Sequence, residues 1–183
     1  MLNKFYLLFL LFSTILQGQT YTKINGLSAL VLIPNIGIET PVSKNLTFQV
    51  DALASFWKSV NNAPLQFVIV TPEIRYHFKQ NYDGFYIGTH VGGSLFKLQK
   101  WNYSNTNYYQ TGFNYFVGAT IGYEKKINKK FLFDIFIGGG SQQAFYKGYD
   151  LVTDERLDGA KKFNKSGEFL PYRGGIMICY LIN

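Results

Sequence analysis

The chain has 183 residues, a formal net charge of +7, 18% aromatic residues and a single cysteine. That length suits one domain. With only Cys179 no intramolecular disulfide can form, so the fold must hold without one. The aromatic content argues against a disordered secreted chain, and no later stretch is apolar for long enough to cross a membrane as a helix.

The N-terminus comes first. Lys4 precedes an apolar run from Phe5 to Phe12, and a small residue follows at Gly18. This is the layout of a secretory signal peptide, with cleavage expected near Gly18–Gln19 and a mature domain over 19–183. Export would remove Lys4 and leave a charge of about +6. No cysteine lies near the site to carry a lipid. Export also makes nucleic acid an unsuitable partner, and a basic rim against anionic lipid headgroups is the better use of the charge.

Eight segments of alternating polarity follow, at 22–32, 35–42, 46–57, 66–78, 84–98, 109–125, 131–146 and 170–182. The fourth is the clearest. Val68, Val70, Ile74, Tyr76 and Phe78 alternate with Thr71, Glu73, Arg75 and His77, so a strand here has one apolar and one charged face. The third sets Phe48, Val50 and Phe56 against Gln49, Asp51 and Ser55. The fifth sets Phe85, Ile87, Val91 and Leu95 against Tyr86, Gly88, His90, Gly92 and Ser94. The sixth opposes Phe113, Tyr115, Val117, Ile121 and Tyr123 to Asn114, Gly118, Thr120, Gly122 and Glu124. The seventh opposes Phe133, Ile135 and Ile137 to Asp134, Gly138 and Gly140, and the last opposes Ile176, Ile178 and Tyr180 to Arg173, Gly175 and Met177.

Short connectors at 43–45, 79–83 and 126–130 alternate with longer ones at 58–65, 99–108 and 147–169. Only the first connector, near Ile33-Pro34, reads as tight on the long side. This pattern predicts an all-β fold, an eight-stranded antiparallel up-and-down transmembrane β-barrel with both termini in the periplasm. Such a ring must close, because an open edge in lipid leaves backbone groups without partners. Eight strands leave an interior that side chains fill, so no open pore is expected.

The inward ionisable residues Glu39, Asp51, Glu73, Arg75, His90, Glu124, Asp134 and Arg173 form a candidate polar network in the lumen. Charges confined there must pair. Five carboxylates face two arginines, an acid excess to be met by a proton, a water or a cation. His77 also falls on the inward face but, beside a short turn, reads as an interfacial residue. His90 and Ser94 share a face, but two steps along it separate their Cα atoms by about 13 Å, too far for a catalytic hydrogen bond. No catalytic residue and no enzyme activity are expected. Metal-ligand spacing does not recur, and Gly138-Gly139-Gly140 opens no helix, so it is not a phosphate loop. No cofactor or metal is expected. The loop from Lys147 to Phe169 carries mixed charge and is the place for an extracellular ligand.

With these segments placed, several pieces acquire a common meaning. They are Lys23-x-Asn25, Pro34-Asn35-Ile36-Gly37-Ile38-Glu39, Pro72-Glu73-Ile74-Arg75-Tyr76, Gly84-Phe85-Tyr86-Ile87-Gly88-Thr89-His90, Gly122-Tyr123 and Pro171-Tyr172-Arg173. In this order the chain resembles a family of uncharacterised Gram-negative outer-membrane proteins known only as a domain of unknown function. Phe131-Leu132-Phe133-Asp134 stands where that family usually has Trp-Asn-Leu-Glu, and Arg173 stands where Lys is usual. The resemblance implies an OmpA/OmpX-like barrel and supplies no activity.

The expected protein is therefore a monomeric outer-membrane barrel of a Gram-negative bacterium, with a plugged polar lumen and a structural or surface-interaction role. Its expected partners are outer-membrane lipids, lipopolysaccharide and an extracellular ligand. Two alternatives stand beside it. One is a lipid-modifying enzyme of the lipid A deacylase or acyltransferase kind. The other is a secreted soluble barrel that binds an apolar ligand.

Overall fold

A strand with one apolar and one charged face needs a different environment on each side, and this chain meets the requirement by closing into a ring. The structure is a computed structural model and describes residues 18–59, 62–157, 159 and 161–183. The expected signal peptide lies outside the described residues, Gly18 excepted. The elements are β1 (Tyr21–Asn25), α1 (Gly26–Leu30), β2 (Asn35–Pro41), β3 (Leu46–Lys58), β4 (Pro64–His77) and β5 (Gly84–Leu98), then a 3-10 turn (Trp101–Tyr103), β6 (Tyr108–Lys126), β7 (Phe131–Asp150) and β8 (Asn164–Leu181). Each strand runs antiparallel to the next, and β8 returns to β1 with Leu181 opposite Tyr21. The fold is an all-β, eight-stranded, antiparallel up-and-down closed barrel.

The register sets the tilt. Stepping from Tyr21 to its partner on each successive strand passes Glu39, Gln49, Glu73, His90, Gly118 and Gly140 to Leu170. Tyr21 itself pairs with Leu181, so the ring closes with a stagger of roughly ten residues, which tilts the strands by about 40°. Between β7 and β8 the register shifts at Gly138 and Gly139, where Gly138 faces Arg173 but Gly139 faces Pro171. Tyr172 is the extra residue of this bulge, which re-aims side chains. The neighbours Tyr172 and Arg173 consequently both reach the lumen, to His90 and Asp51 respectively.

Three expectations change. The first strand ends at Asn25 rather than 32, because the Asn25 side chain accepts the Leu27 N–H and caps the helical turn α1. The connection to β2 therefore spans 26–34 and is not tight. The last connection is shorter than 147–169, because β7 runs to Asp150 and β8 begins at Asn164. Phe145 and Tyr146 pair with Lys165 and Asn164 and extend that hairpin. Lys147, Lys165 and Glu168 are thus strand residues, and the connecting loop is 151–163. Just before it, at the end of β7, Asp150 accepts the backbone N–H groups of Val152 and Thr153.

Burial is inverted relative to a soluble domain. Phe85, Val117, Ile121 and Leu95 point outward and are 57–68% exposed, while Lys23, Glu39, Arg75, Glu124 and Asp134 are fully buried. Phe85 and Leu95 stand about 25 Å apart along the axis, from the rise per residue and the tilt. Phe85 packs on Tyr123 and Phe131 on Tyr180, outward and near the short turns. Inside that same end, Tyr21, Tyr82, Tyr86, Leu132, Phe136, Met177 and Cys179 form an apolar cluster around the charges.

Candidate functional site

Five strands each contribute one inward charge to the lowest layer of the lumen: Lys23 from β1, Glu39 from β2, Arg75 from β4, Glu124 from β6 and Asp134 from β7. Lys23 Nζ lies 2.5 Å from Glu39 Oε2, 2.9 Å from Glu124 Oε1 and 2.8 Å from Asp134 Oδ2. Arg75 Nη1 reaches the same three oxygens at 3.1, 3.2 and 2.9 Å, and Nη2 reaches Glu73 at 3.2 Å. The Arg75 guanidinium also lies over the Tyr86 ring at 4.5 Å, and the Tyr86 hydroxyl donates to Asp134 Oδ1 at 3.0 Å.

Glycine makes this packing possible. A Cβ on Gly122 would come within 2.4 Å of the Tyr86 ring, and one on Gly88 within 2.1 Å of Glu73 Oε1. Above this layer Arg173 pairs with Asp51 at 2.9 Å and Glu73 at 3.0 Å. Higher still, His90 is held between Thr120 at 3.0 Å and Tyr172 at 2.7 Å, and the Ser94 hydroxyl donates to Asn114 at 2.9 Å.

All eight residues read from the sequence face the lumen. Glu39, Glu73, Arg75, Glu124 and Asp134 share the lower cluster, Asp51 and Arg173 extend it, and His90 stands apart with hydroxyl partners. Two readings are corrected. His77 is fully buried rather than interfacial: Nε2 lies 3.0 Å from Thr47 Oγ1 and 3.7 Å from Glu39, and Nδ1 lies 3.7 Å from Glu124. Period two already placed it on the face of Glu73 and Arg75, so the signal was there.

The second correction concerns the acid excess, which shrinks because Lys23 joins the two arginines. The short alternation Tyr21-Lys23-Asn25 carried that signal, and all three of these residues are buried.

Closure also assembles what linear spacing could not show. Ligand atoms of Glu39, His77 and Glu124 lie within 4.8 Å of one another, a geometry that a metal ion could use. Lys23 already supplies a cation to both carboxylates there. Removing one partner of such a buried network leaves a charge uncompensated, at a cost of about 3–5 kcal/mol. The cluster therefore links β1, β2, β4, β6 and β7 across the ring and fills the lumen at this level.

A closed antiparallel barrel whose lumen is stoppered by ion pairs is the class of protein this fold and site define. The sequence matches the family described as Protein of unknown function (DUF3575) over residues 4–182, and the chain belongs to that family. No curated protein and no solved structure matches it.

Proposed function

We propose that the chain is an integral outer-membrane barrel of a Gram-negative envelope, with a structural or surface-interaction role and no catalytic step. The observation that carries this reading is the inversion of polarity: an apolar belt about 25 Å tall faces outward while the charges pair inside. A soluble carrier of an apolar ligand would have the opposite arrangement. The hydroxyl partners of His90 and the Ser94–Asn114 bond favour a non-catalytic barrel over a lipid-modifying enzyme.

The test is gel migration of the outer-membrane fraction in detergent, unboiled and boiled. A closed barrel resists cold detergent, so a heat-dependent shift in that fraction is expected. Recovery of the protein in the soluble periplasm or medium, with no shift, would sink the membrane reading.

Phosphorylated lipid of the outer leaflet is the partner this reading assigns to the outward face of β5–β8. Lys97 pairs with Thr111 and Thr111 with Lys147, while Lys165 pairs with Phe145, so three lysines crown the apolar belt. Each ammonium is held over a ring: Lys97 over Tyr109, Lys147 over Phe163 and Lys165 over Phe145, at 4.8, 5.2 and 5.5 Å. A lysine near an anionic lipid surface is worth about fivefold in affinity. Replacing Lys97, Lys147 and Lys165 together by Glu should abolish the rise in unfolding temperature that added lipopolysaccharide gives the wild-type barrel. Without lipopolysaccharide the two should melt alike, and an equal rise in both would remove this partner.

A further inference from the structure

The wall of the barrel is not equally tall all round. β1 stops at Asn25, opposite Met177, and β2 begins at Asn35, opposite Leu53. Beyond those points β3 continues to Lys58, and β8 reaches up to Asn164. Among the described residues, the upper parts of β3 and β8 therefore have no strand between them. Two missing strands leave a gap of about 14 Å between β3 and β8 at the usual strand spacing.

Segment 26–34 covers this gap. The Asn25 amide donates to Gly174 O at 3.3 Å, the Ala54 N–H donates to Pro34 O at 3.0 Å, and Trp57 Nε1 donates to Leu32 O at 2.8 Å. The cover is apolar on its outer side, with Leu27, Leu30, Val31 and Leu32 between 50 and 81% exposed.

Behind the cover lies a cavity of about 150 Å³, lined in part by Leu53, Ile69, Phe116, Phe136 and Tyr172, with Asn25, Ser28 and Asn35 on the side of the cover. A cavity of this size accommodates one benzene ring. Among the described residues no donor reaches the buried side-chain oxygen of Asn35, a residue 6% exposed, so it is an acceptor lacking a donor. On the outer surface an apolar groove runs from Leu27 along Pro171 to Ile176. Phe136, Tyr172, Arg173 and Gly174 line both the groove and the cavity. One layer of side chains separates the outside of the barrel from its interior here.

We propose that this cavity binds a small membrane-soluble amphiphile, a ring or short chain of about six carbons bearing one hydroxyl, which enters sideways past segment 26–34. The hydroxyl donates to Asn35, and the apolar part packs on Phe116, Phe136 and Tyr172. The proposal rests on the membrane reading, because only a bilayer presents such a molecule to the groove. Gly174 is the sill of the opening. A Cβ there would meet only ordinary contacts, the nearest at 3.4 Å from Phe136 O, so a side chain can be added to obstruct it.

The test is fluorine NMR of 4-fluorophenol with the purified barrel in detergent micelles, against empty micelles. Saturable binding is expected in the wild type, weakened about tenfold by Asn35→Leu through the lost hydrogen bond. Gly174→Phe should slow exchange of the probe while changing its affinity little. The heat-dependent gel shift of each variant reports separately on the barrel. With that shift intact, a signal no different from empty micelles, or equal affinity in Asn35→Leu, would overturn the proposal and leave the membrane reading standing.

Discussion

Replacing Arg75 with methionine should lower the unfolding free energy of the barrel by about 3–5 kcal/mol, the range for breaking a buried ion pair from one side. Arg75 contacts Glu39, Glu73, Glu124 and Asp134, all inside the ring. Methionine fills similar space but, among the described residues, leaves Lys23 as the one lysine or arginine still touching Glu39, Glu124 and Asp134. Urea titration in lipid vesicles, followed by the fluorescence of Trp57 and Trp101, would measure the loss. A further change of Glu39 to Gln should recover part of it, since it removes a stranded carboxylate. A loss below about 1 kcal/mol would show that the cluster does not stabilise the plug.

Placing arginine at Val117 should cost about 2–4 kcal/mol if the apolar belt faces hydrocarbon, the range for a cation at the midplane of a barrel's lipid face. Val117 points outward from the middle of β6 and is 57% exposed. On a face bathed in water the same change would fall within about 0.5 kcal/mol. Ile127, in the β6–β7 turn and 63% exposed, provides the control: arginine there should be neutral in either case. The same urea titration reads both variants. Equal, small effects at the two positions would turn the argument towards a soluble barrel.

Much of the barrel is legible in single strands. Val68 to Phe78 and Phe85 to Ser94 each state their two faces, because a strand turns its side chains over at every residue. In β1 five residues are too few for alternation to stand out, so Lys23 carries only a weak signal although its face is that of Tyr21 and Asn25. For His77 two signals conflict: nearness to a turn suggests the interface, while parity with Arg75 gives the lumen, and the structure follows parity. The end of the first strand was lost in an apolar run, Leu27 to Ile33, in which strand and helical turn have the same composition. There the Asn25 cap, rather than hydrophobicity, decides.

Fold class, strand number, the facing of residues along regular strand and the need for inward charges to pair are all written in the linear sequence, whereas the bulge at Tyr172, which turns two neighbours into the lumen, is not. The former properties follow from period two and from the cost of an unpaired charge, and both are local. Only the tertiary structure decided which charges meet. Lys23 bonds to Glu124 and Asp134 across separations of 101 and 111 residues, and those partners depend on how far the ring staggers before it closes. The same closure, with β1 and β2 shorter than their neighbours, decided where the wall is low and what lies behind it.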